Sequence, residues 1–147
     1  MNTTIRTMLA AVALLAGAAS ASAQNLRIGL REDPDILDPT LSRTYVGRIV
    51  YMGVCDKLFD INERLEAVPQ LATAYRWDDA QTLTITLRQG VRFHDGEPMT
   101  AESVVYSLNR HLTMQGSFRR GEMGNITAIE VVDPQTGRLR LGVANAS

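Results

Sequence analysis

One unbroken string, from Leu83 to His111, constrains the fold of this chain more than any other feature. It reads LTITLRQGVRFHDGEPMTAESVVYSLNRH. Leu83, Ile85 and Leu87 alternate with threonines and an arginine, and this period of two predicts a half-buried β-strand. The residues that follow break the alternation at once, so the strand is short.

The rest of the string predicts two turns, a second short strand and a helix. Gly90 ends the first strand, Val91 and Phe93 form the next one, and Gly96 suits a turn that requires positive φ. Thr100 is typical of a helix N-cap, with a hydroxyl able to accept a first-turn amide. The helix then presents one apolar stripe, formed by Val104, Val105, Leu108 and Leu112.

This string resembles the consensus segment of the family 5 extracellular solute-binding proteins, the peptide and nickel binders of ABC importers. The family pattern LRxGVxFHDGxPxTAxDVxxSLxR is nearly intact, except that Glu102 followed by Ser103 stands where the acidic residue usually lies. Upstream, residues 35–39 (DILDP) look like the loop that follows the first strand in the family. Residues 68–77 look like the xPxLAxxW segment, and these matches in order extend the resemblance over the chain after residue 23.

The resemblance implies an α/β fold that is periplasmic binding protein-like, of type II and cluster C. Family members are several times longer and have two lobes joined by a hinge. We therefore interpret residues 24–147 as the N-terminal portion of a family 5 domain, containing only the first part of lobe I with its β-rich subdomain. Strands interleaved with helices along the chain agree with an α/β class.

The function implied by the resemblance is that of the substrate-binding component of an ABC importer. Such a protein captures peptides or similar small solutes in the periplasm and delivers them to the membrane permease. The expected partners are the small-molecule or oligopeptide ligand and the inner-membrane permease with its ATPase subunits. The full-length protein is expected to be a monomer, and no cofactor is implied.

Residues 1–23 read as a signal peptide. Arg6 gives a positive start, residues 9–19 form a short apolar run, and Ala21 and Ala23 frame an A-x-A cleavage site. We expect export and cleavage before Gln24. No cysteine follows that point directly, which disfavours a lipid anchor and favours the periplasm as the location.

Charge and cysteine content exclude other classes. The chain has 15 Lys and Arg against 16 Asp and Glu, and no basic surface with interleaved aromatics, so nucleic acid is not an expected partner. Cys55 is the single cysteine and cannot form an internal disulfide. We expect it to be buried and inert in a helix that runs from Ser42 or Arg43 to about Leu58; the alternative is a reactive or intermolecular thiol.

The best candidate site is an acidic loop that begins at Glu32 and runs to this helix. It follows a predicted strand over residues 25–31, and open α/β folds bind ligands at the carboxyl ends of strands. Its carboxylates are those of Glu32, Asp33, Asp35 and Asp38. The family places this loop near the cleft between lobes, where Glu32 and Asp33 are candidates to contact a ligand ammonium or guanidinium. Thr44 and Tyr45 are lesser candidates, and the alternative is a solvated Asp/Pro turn.

No metal or catalytic constellation is predicted. His94 and Asp95 lack further ligands at zinc spacing, so a turn is the expected role, and His111 reads as a helix-end residue. There is no G-x-S-x-G and no phosphate-binding glycine pattern. The alternative function, from another class, is a truncated stand-alone secreted interaction module or a small secreted enzyme.

Three further elements are predicted around the central string. Residues 59–65 form a strand and turn, and residues 71–75 a short packed turn that leads into a strand at Tyr75 and Trp77. Alternation on both sides of a Pro and Gly turn predicts a hairpin over residues 126–141.

Overall fold

The computed structural model of the protein describes residues 26–144. These residues fall into two units, 26–30 and 31–144, and every helix and strand belongs to the second. In chain order the elements are α1 (Tyr45–Val54), β1 (Phe59–Ile61), β2 (Ala67–Pro69), β3 (Ala72–Asp79), β4 (Thr82–Leu87), α2 (Ala101–Thr113), β5 (Ile126–Asp133) and β6 (Thr136–Leu141). The predicted signal peptide lies outside the described residues.

The main sheet is antiparallel, with strand order β3-β4-β6-β5. Its register places Leu83 of β4 opposite Leu139 of β6, so the apolar positions of neighbouring strands share one face. The predicted hairpin over residues 126–141 is confirmed as β5 and β6. The prediction that β4 is half-buried is incomplete. Because β4 is an inner strand, Thr82 and Thr84 on its polar face are also buried. Thr84 Oγ1 donates to Asp78 Oδ2 at 2.6 Å, which satisfies its hydroxyl.

Helix α2 covers this sheet on the side of β5 and β6. The apolar stripe of Val104, Val105, Leu108 and Leu112 packs on the core, as predicted. These four side chains are partly buried, and the apolar area that they remove from water orients the helix on the sheet. The buried apolar residues of this core are Ala72, Ile85, Leu87, Ile129 and Leu139 from the sheet and Ala101 from the helix itself.

The turns around α2 and the position of its N-cap residue follow the sequence prediction. Gly90 and Gly96 have φ of 75° and 92°, in the region that favours glycine. Thr100 is the N-cap residue, and Ser103 Oγ accepts from the Thr100 amide at 3.1 Å and donates to the Thr100 carbonyl at 2.7 Å. The short strand at 91–93 is reduced to one isolated bridge, between Arg92 and Pro98.

The hairpin of β1 and β2 precedes the sheet, and its turn includes Leu65 with φ of 62°. The prediction that residues 71–75 form a packed turn is wrong. Ala72 already begins β3, because it pairs with Leu87 and is completely buried in the core. Tertiary burial overrides the local turn signal here.

Helix α1 is shorter than predicted, and Cys55 is exposed rather than buried. The backbone after Val54 bonds across to a later segment: the Leu71 amide donates to the Lys57 carbonyl, and the Gln70 and Ala72 amides donate to the Leu58 carbonyl. These bonds replace those of a continuing helix. Cys55 therefore leaves the helix in an extended conformation.

The predicted strand over residues 25–31 is not observed. Residues 26–30 have no strand geometry, and none of the strand pairs in the described part of the chain includes them. Alternation alone does not form a strand, because the backbone groups also need a neighbouring strand.

Candidate ligand-binding site

Asp35 fixes the end of the acidic loop, residues 32–44, to the start of α1. Its carboxylate accepts from Ser42 Oγ at 2.9 Å, from the Arg43 amide at 2.9 Å and from Thr44 Oγ1 at 3.2 Å. The bond from the Arg43 amide, with those from the two hydroxyls, lowers the pKa of Asp35 to about 2. The carboxylate is therefore ionised at neutral pH and holds the loop in a closed turn.

Thr44 ends the loop as the N-cap of α1. Its Oγ1 accepts from the Gly47 amide at 3.0 Å, which satisfies one of the free first-turn donors. Gly47 is required at this point because a Cβ there would lie 2.1 Å from Ser42 Oγ. The hydroxyl of Ser42, itself buried, thus occupies the space that a larger residue would need.

Asp38 attaches the middle of the loop to α2. Arg110 donates to it through Nη1 at 3.0 Å and through Nη2 at 2.5 Å, and the Thr40 amide donates at 2.8 Å. The Arg110 hydrogen bond is the main reason that the pKa of Asp38 lies well below its usual range, although burial opposes it. A paired arginine and carboxylate of this kind fixes direction as well as distance.

Thr40 and His111 complete the contact between loop and helix. Thr40 is completely buried, its Oγ1 accepts from Arg110 Nη1, and it lies 2.9 Å from His111 Nδ1. Burial lowers the pKa of His111, and the charges of Arg110 and Arg119 lower it further. The ring is therefore neutral at neutral pH.

A shallow concavity of about 310 Å³ opens beside this loop. The Arg43 guanidinium lies over the Phe118 ring at 4.2 Å from its centroid, a cation-π contact that holds the charge at the rim. Asp35 lies in the same wall, so a carboxylate and a guanidinium flank an apolar floor. The remaining lining residues are Ile36, Leu41 and Gly116.

The segment that carries Phe118 is tied to the loop by Arg119. Arg119 Nη2 donates to the Ser42 carbonyl at 2.9 Å, and Nη1 pairs with Glu122 at 2.9 Å. The Phe118 amide donates to the Thr40 carbonyl at 3.1 Å. The concavity is thus built from two segments that are hydrogen-bonded to each other.

The structure gives the four predicted contact residues different settings. Glu32 and Asp33 are exposed, and their side chains make no hydrogen bond within the described residues. Thr44 is half-buried and occupied as a cap, whereas Tyr45 is 78% exposed at the first turn of α1. Their contact with a ligand stays a prediction.

Sequence reasoning missed the two side chains that form the cation-π contact of the concavity, Arg43 and Phe118. Arg43 lies directly before the predicted candidate Thr44, so its position in the loop was a signal that could have found it. Phe118 lies 75 positions further on in a segment without periodicity, and nothing local connects it to the loop.

Two further concavities, of about 180 and 270 Å³, lie beside the turn that carries Phe93 and His94. Both are lined by Asp56, Leu71, Phe93 and Met99.

Across residues 26–144 there is no group of three or more His, Cys, Asp or Glu side chains placed to hold a metal ion. No helix in that range has the length and apolarity needed to cross a membrane.

Comparison with known proteins gives the family of this chain and the class of its fold. Residues 66–146 match the family described as bacterial extracellular solute-binding proteins, family 5 Middle, and the chain belongs to this family. Protein XP55 of Streptomyces lividans is 38% identical over 115 residues, covering 68% of this chain and 21% of that protein. The glutathione-binding protein GsiB of Salmonella typhi is 37% identical over 111 residues, covering 74% of this chain and 21% of GsiB.

The solved structures agree. The unliganded open form of MppA, the periplasmic murein tripeptide binding protein of Escherichia coli, aligns with a TM-score of 0.72 at 25% identity. The alignment covers 78% of this chain and 26% of MppA. The family resemblance and the periplasmic binding protein fold are therefore confirmed. The chain spans about a fifth of the length of the curated relatives it matches.

Proposed function

We propose that this protein is the substrate-binding component of an ABC importer, which captures peptides or similar small solutes in the periplasm. The observation that carries the proposal is membership of the solute-binding family together with a rigidly braced acidic loop. A solute binder needs side chains held in place before the ligand arrives, because ordering them on binding lowers affinity. The Asp35 and Asp38 contacts provide this bracing.

The charges around the loop suit a zwitterionic peptide. GsiB is named for glutathione and MppA for a murein tripeptide. A peptide of this size carries an ammonium and a carboxylate. In this proposal Glu32 and Asp33 accept from the ammonium, and Arg43 and Tyr45 donate to a carboxylate or carbonyl. The single Thr44 hydroxyl proton already goes to Asp35, so Thr44 contributes as the N-cap that positions Tyr45.

Delivery follows from closure of two lobes around the ligand. A ligand shifts the open form to the closed form by as much as its affinity for the two forms differs. The closed form then docks on the inner-membrane permease and its ATPase subunits. We propose that the binder acts as a monomer in this cycle and carries out no chemistry on the ligand.

The direct test is a glutathione titration followed by calorimetry and by the fluorescence of Trp77, the single tryptophan. A thiol reductant is present throughout, since Cys55 is exposed. We expect the double variant Glu32→Gln, Asp33→Asn to bind about tenfold more weakly, equivalent to about 1.4 kcal/mol. The matched control is Glu63→Gln, which removes an exposed acid from the β1-β2 turn and should leave affinity unchanged.

Failure to bind glutathione and a panel of other tripeptides would contradict the peptide assignment. Equal losses in the loop variant and the control would contradict the role of the loop. Recovered glutathione is also examined by NMR, and a chemically altered product would contradict a binder without catalysis. Uptake of labelled glutathione in cells with and without the gene tests delivery to the permease.

A further inference from the structure

The Thr40 hydroxyl stands between two nitrogen groups of α2. Its oxygen accepts from Arg110 Nη1 and lies 2.9 Å from His111 Nδ1. A guanidinium can only donate, and a hydroxyl has one proton to give. With Arg110 donating to the oxygen, the Thr40 proton can go to Nδ1 when the imidazole is neutral and carries its hydrogen on Nε2, and the proposal below takes this tautomer.

Protonation of His111 removes this arrangement. A protonated Nδ1 carries its own hydrogen, so Thr40 would face two cationic donors and its own hydroxyl proton would have to turn away. Thr40 is completely buried, which leaves no solvent to absorb the change. The new positive charge would also lie beside Arg110.

The charges that face His111 come from three segments. Arg110 on α2 and Arg119 on the following segment disfavour the protonated ring, whereas Asp38 on the acidic loop and Glu122 favour it. Both acids already pair with an arginine, Asp38 with Arg110 and Glu122 with Arg119. Burial of the ring is the largest cause of its lowered pKa, because burial also disfavours the protonated form. The native contact with Thr40 therefore contains the neutral imidazole.

We propose that His111 is a positioning residue: its neutral imidazole, acting through the Thr40 hydroxyl, holds the acidic loop against α2, and its protonation loosens the loop. Thr40 is the link because its carbonyl also accepts from the Phe118 amide, at 3.1 Å. A change at Thr40 therefore reaches both walls of the concavity beside Arg43. The inference rests on the proposed function only in treating the loop as the ligand-facing surface.

The test measures loop stability without any ligand. Amide hydrogen exchange of Thr40, Arg43 and Phe118 is followed from about pH 7.5 to about pH 5.5, the range in which histidine titrates, and corrected for the intrinsic exchange rate. We expect their protection to fall roughly threefold or more on acidification, while the amides of β4 and β6 keep theirs. Ring NMR signals should give His111 a titration midpoint below the ordinary histidine value of 6.5.

The chain offers a matched control, since it contains two histidines. His111→Asn keeps an acceptor near the Nδ1 position but cannot titrate, so its loop protection should not depend on pH. His94→Asn, in an exposed turn, should retain the pH dependence of the unchanged protein. Unchanged protection of the β4 and β6 amides shows that each variant folds. The His111 titration is measured in the unchanged protein, so this part of the test does not depend on the folding of a variant.

A loop whose protection does not change as His111 titrates would overturn the inference, as would a pH response that survives in His111→Asn. A glutathione titration at both pH values separates this failure from that of the proposed function. Loss of exchange protection on acidification, without binding of glutathione or of the other tripeptides, supports the positioning role and contradicts the peptide assignment. Glutathione binding that does not depend on pH, in a protein whose loop keeps its exchange protection, supports the peptide assignment and contradicts the positioning role.

Discussion

The Asp38 carboxylate and the Arg110 guanidinium are paired across 72 residues of sequence, through contacts of 3.0 and 2.5 Å. Their side chains are only 22% and 31% exposed, so water screens the pair less than it screens a surface pair. Asp38 belongs to the DILDP segment and Arg110 to the end of the long string. Two segments that resemble the family separately thus form one structural unit.

Breaking this pair should destabilise the whole unit. We expect Asp38→Asn to lower the free energy of unfolding by about 1–2 kcal/mol, because a charged acceptor is lost and the half-buried guanidinium keeps a poorer partner. Arg110→Lys should also destabilise, since an ammonium cannot donate two parallel hydrogen bonds from a planar fork. Urea unfolding at neutral pH measures both effects.

The control for this prediction is the ion pair of Arg64 and Glu66 in the β1-β2 turn. Its side chains are 79% and 58% exposed, so Glu66→Gln should leave the urea midpoint nearly unchanged. An Asp38→Asn protein as stable as the unchanged one would show that the pair does not hold loop and helix together.

Acid should destabilise the loop through Asp35. The pKa of this carboxyl in the folded protein is about 2, below its ordinary value of 3.8, because it accepts from the Arg43 amide and two hydroxyls. A lowered pKa contributes stability that is fully present above pH 3.8 and is lost as the pH falls toward 2. We expect Asp35→Asn to be less stable at neutral pH and to lose less stability on acidification, as measured by urea unfolding at each pH.

Asp33→Asn is the comparison variant, since Asp33 lies in the same loop but its exposed carboxylate makes no hydrogen bond within the described residues. Its stability should follow that of the unchanged protein at every pH. Parallel acid profiles for Asp35→Asn and Asp33→Asn would mean that Asp35 does not brace the loop in solution.

Local periodicity predicted the parts of the fold whose contacts are close in sequence. The β4 strand, the Gly96 turn, the Thr100 cap and the β5-β6 hairpin each follow from residues within a few positions of one another. The family resemblance supplied what periodicity did not, namely the class of fold.

Contacts between distant segments account for what the sequence left out. Ala72 joins the sheet because Leu87 is its partner, and Cys55 leaves the helix because the chain after it bonds to residues 70–72. In the candidate site, the sequence identifies the acidic residues of the loop, but it does not show which of their carboxylates accept hydrogen bonds within the fold. Asp35 and Asp38 brace the loop, whereas the side chains of Glu32 and Asp33 make no hydrogen bond within the described residues.

Processing at the N-terminus should follow the A-x-A pattern. We expect the exported protein to begin at Gln24, because small residues at positions 21 and 23 suit the cleavage site. The double variant Ala21→Leu, Ala23→Leu should remain unprocessed, whereas Ala18→Leu in the apolar run should be processed normally. Intact mass of the periplasmic fraction distinguishes these forms, and a mature protein beginning elsewhere would contradict the assignment.

The two glycines of α1 should respond to alanine in opposite directions. At Gly47 an added Cβ would lie 2.1 Å from Ser42 Oγ, and moving Ser42 would disturb its bond to Asp35, so we expect Gly47→Ala to cost about 1–3 kcal/mol. At Gly53 an added Cβ would meet nothing within 4 Å, so Gly53→Ala should stabilise by about 0.5–1 kcal/mol through helix propensity. Urea unfolding compares them. Because both substitutions add the same methyl group to the same helix, stabilisation by both would show that helix propensity, rather than the packing of Ser42 on Gly47, decides stability here.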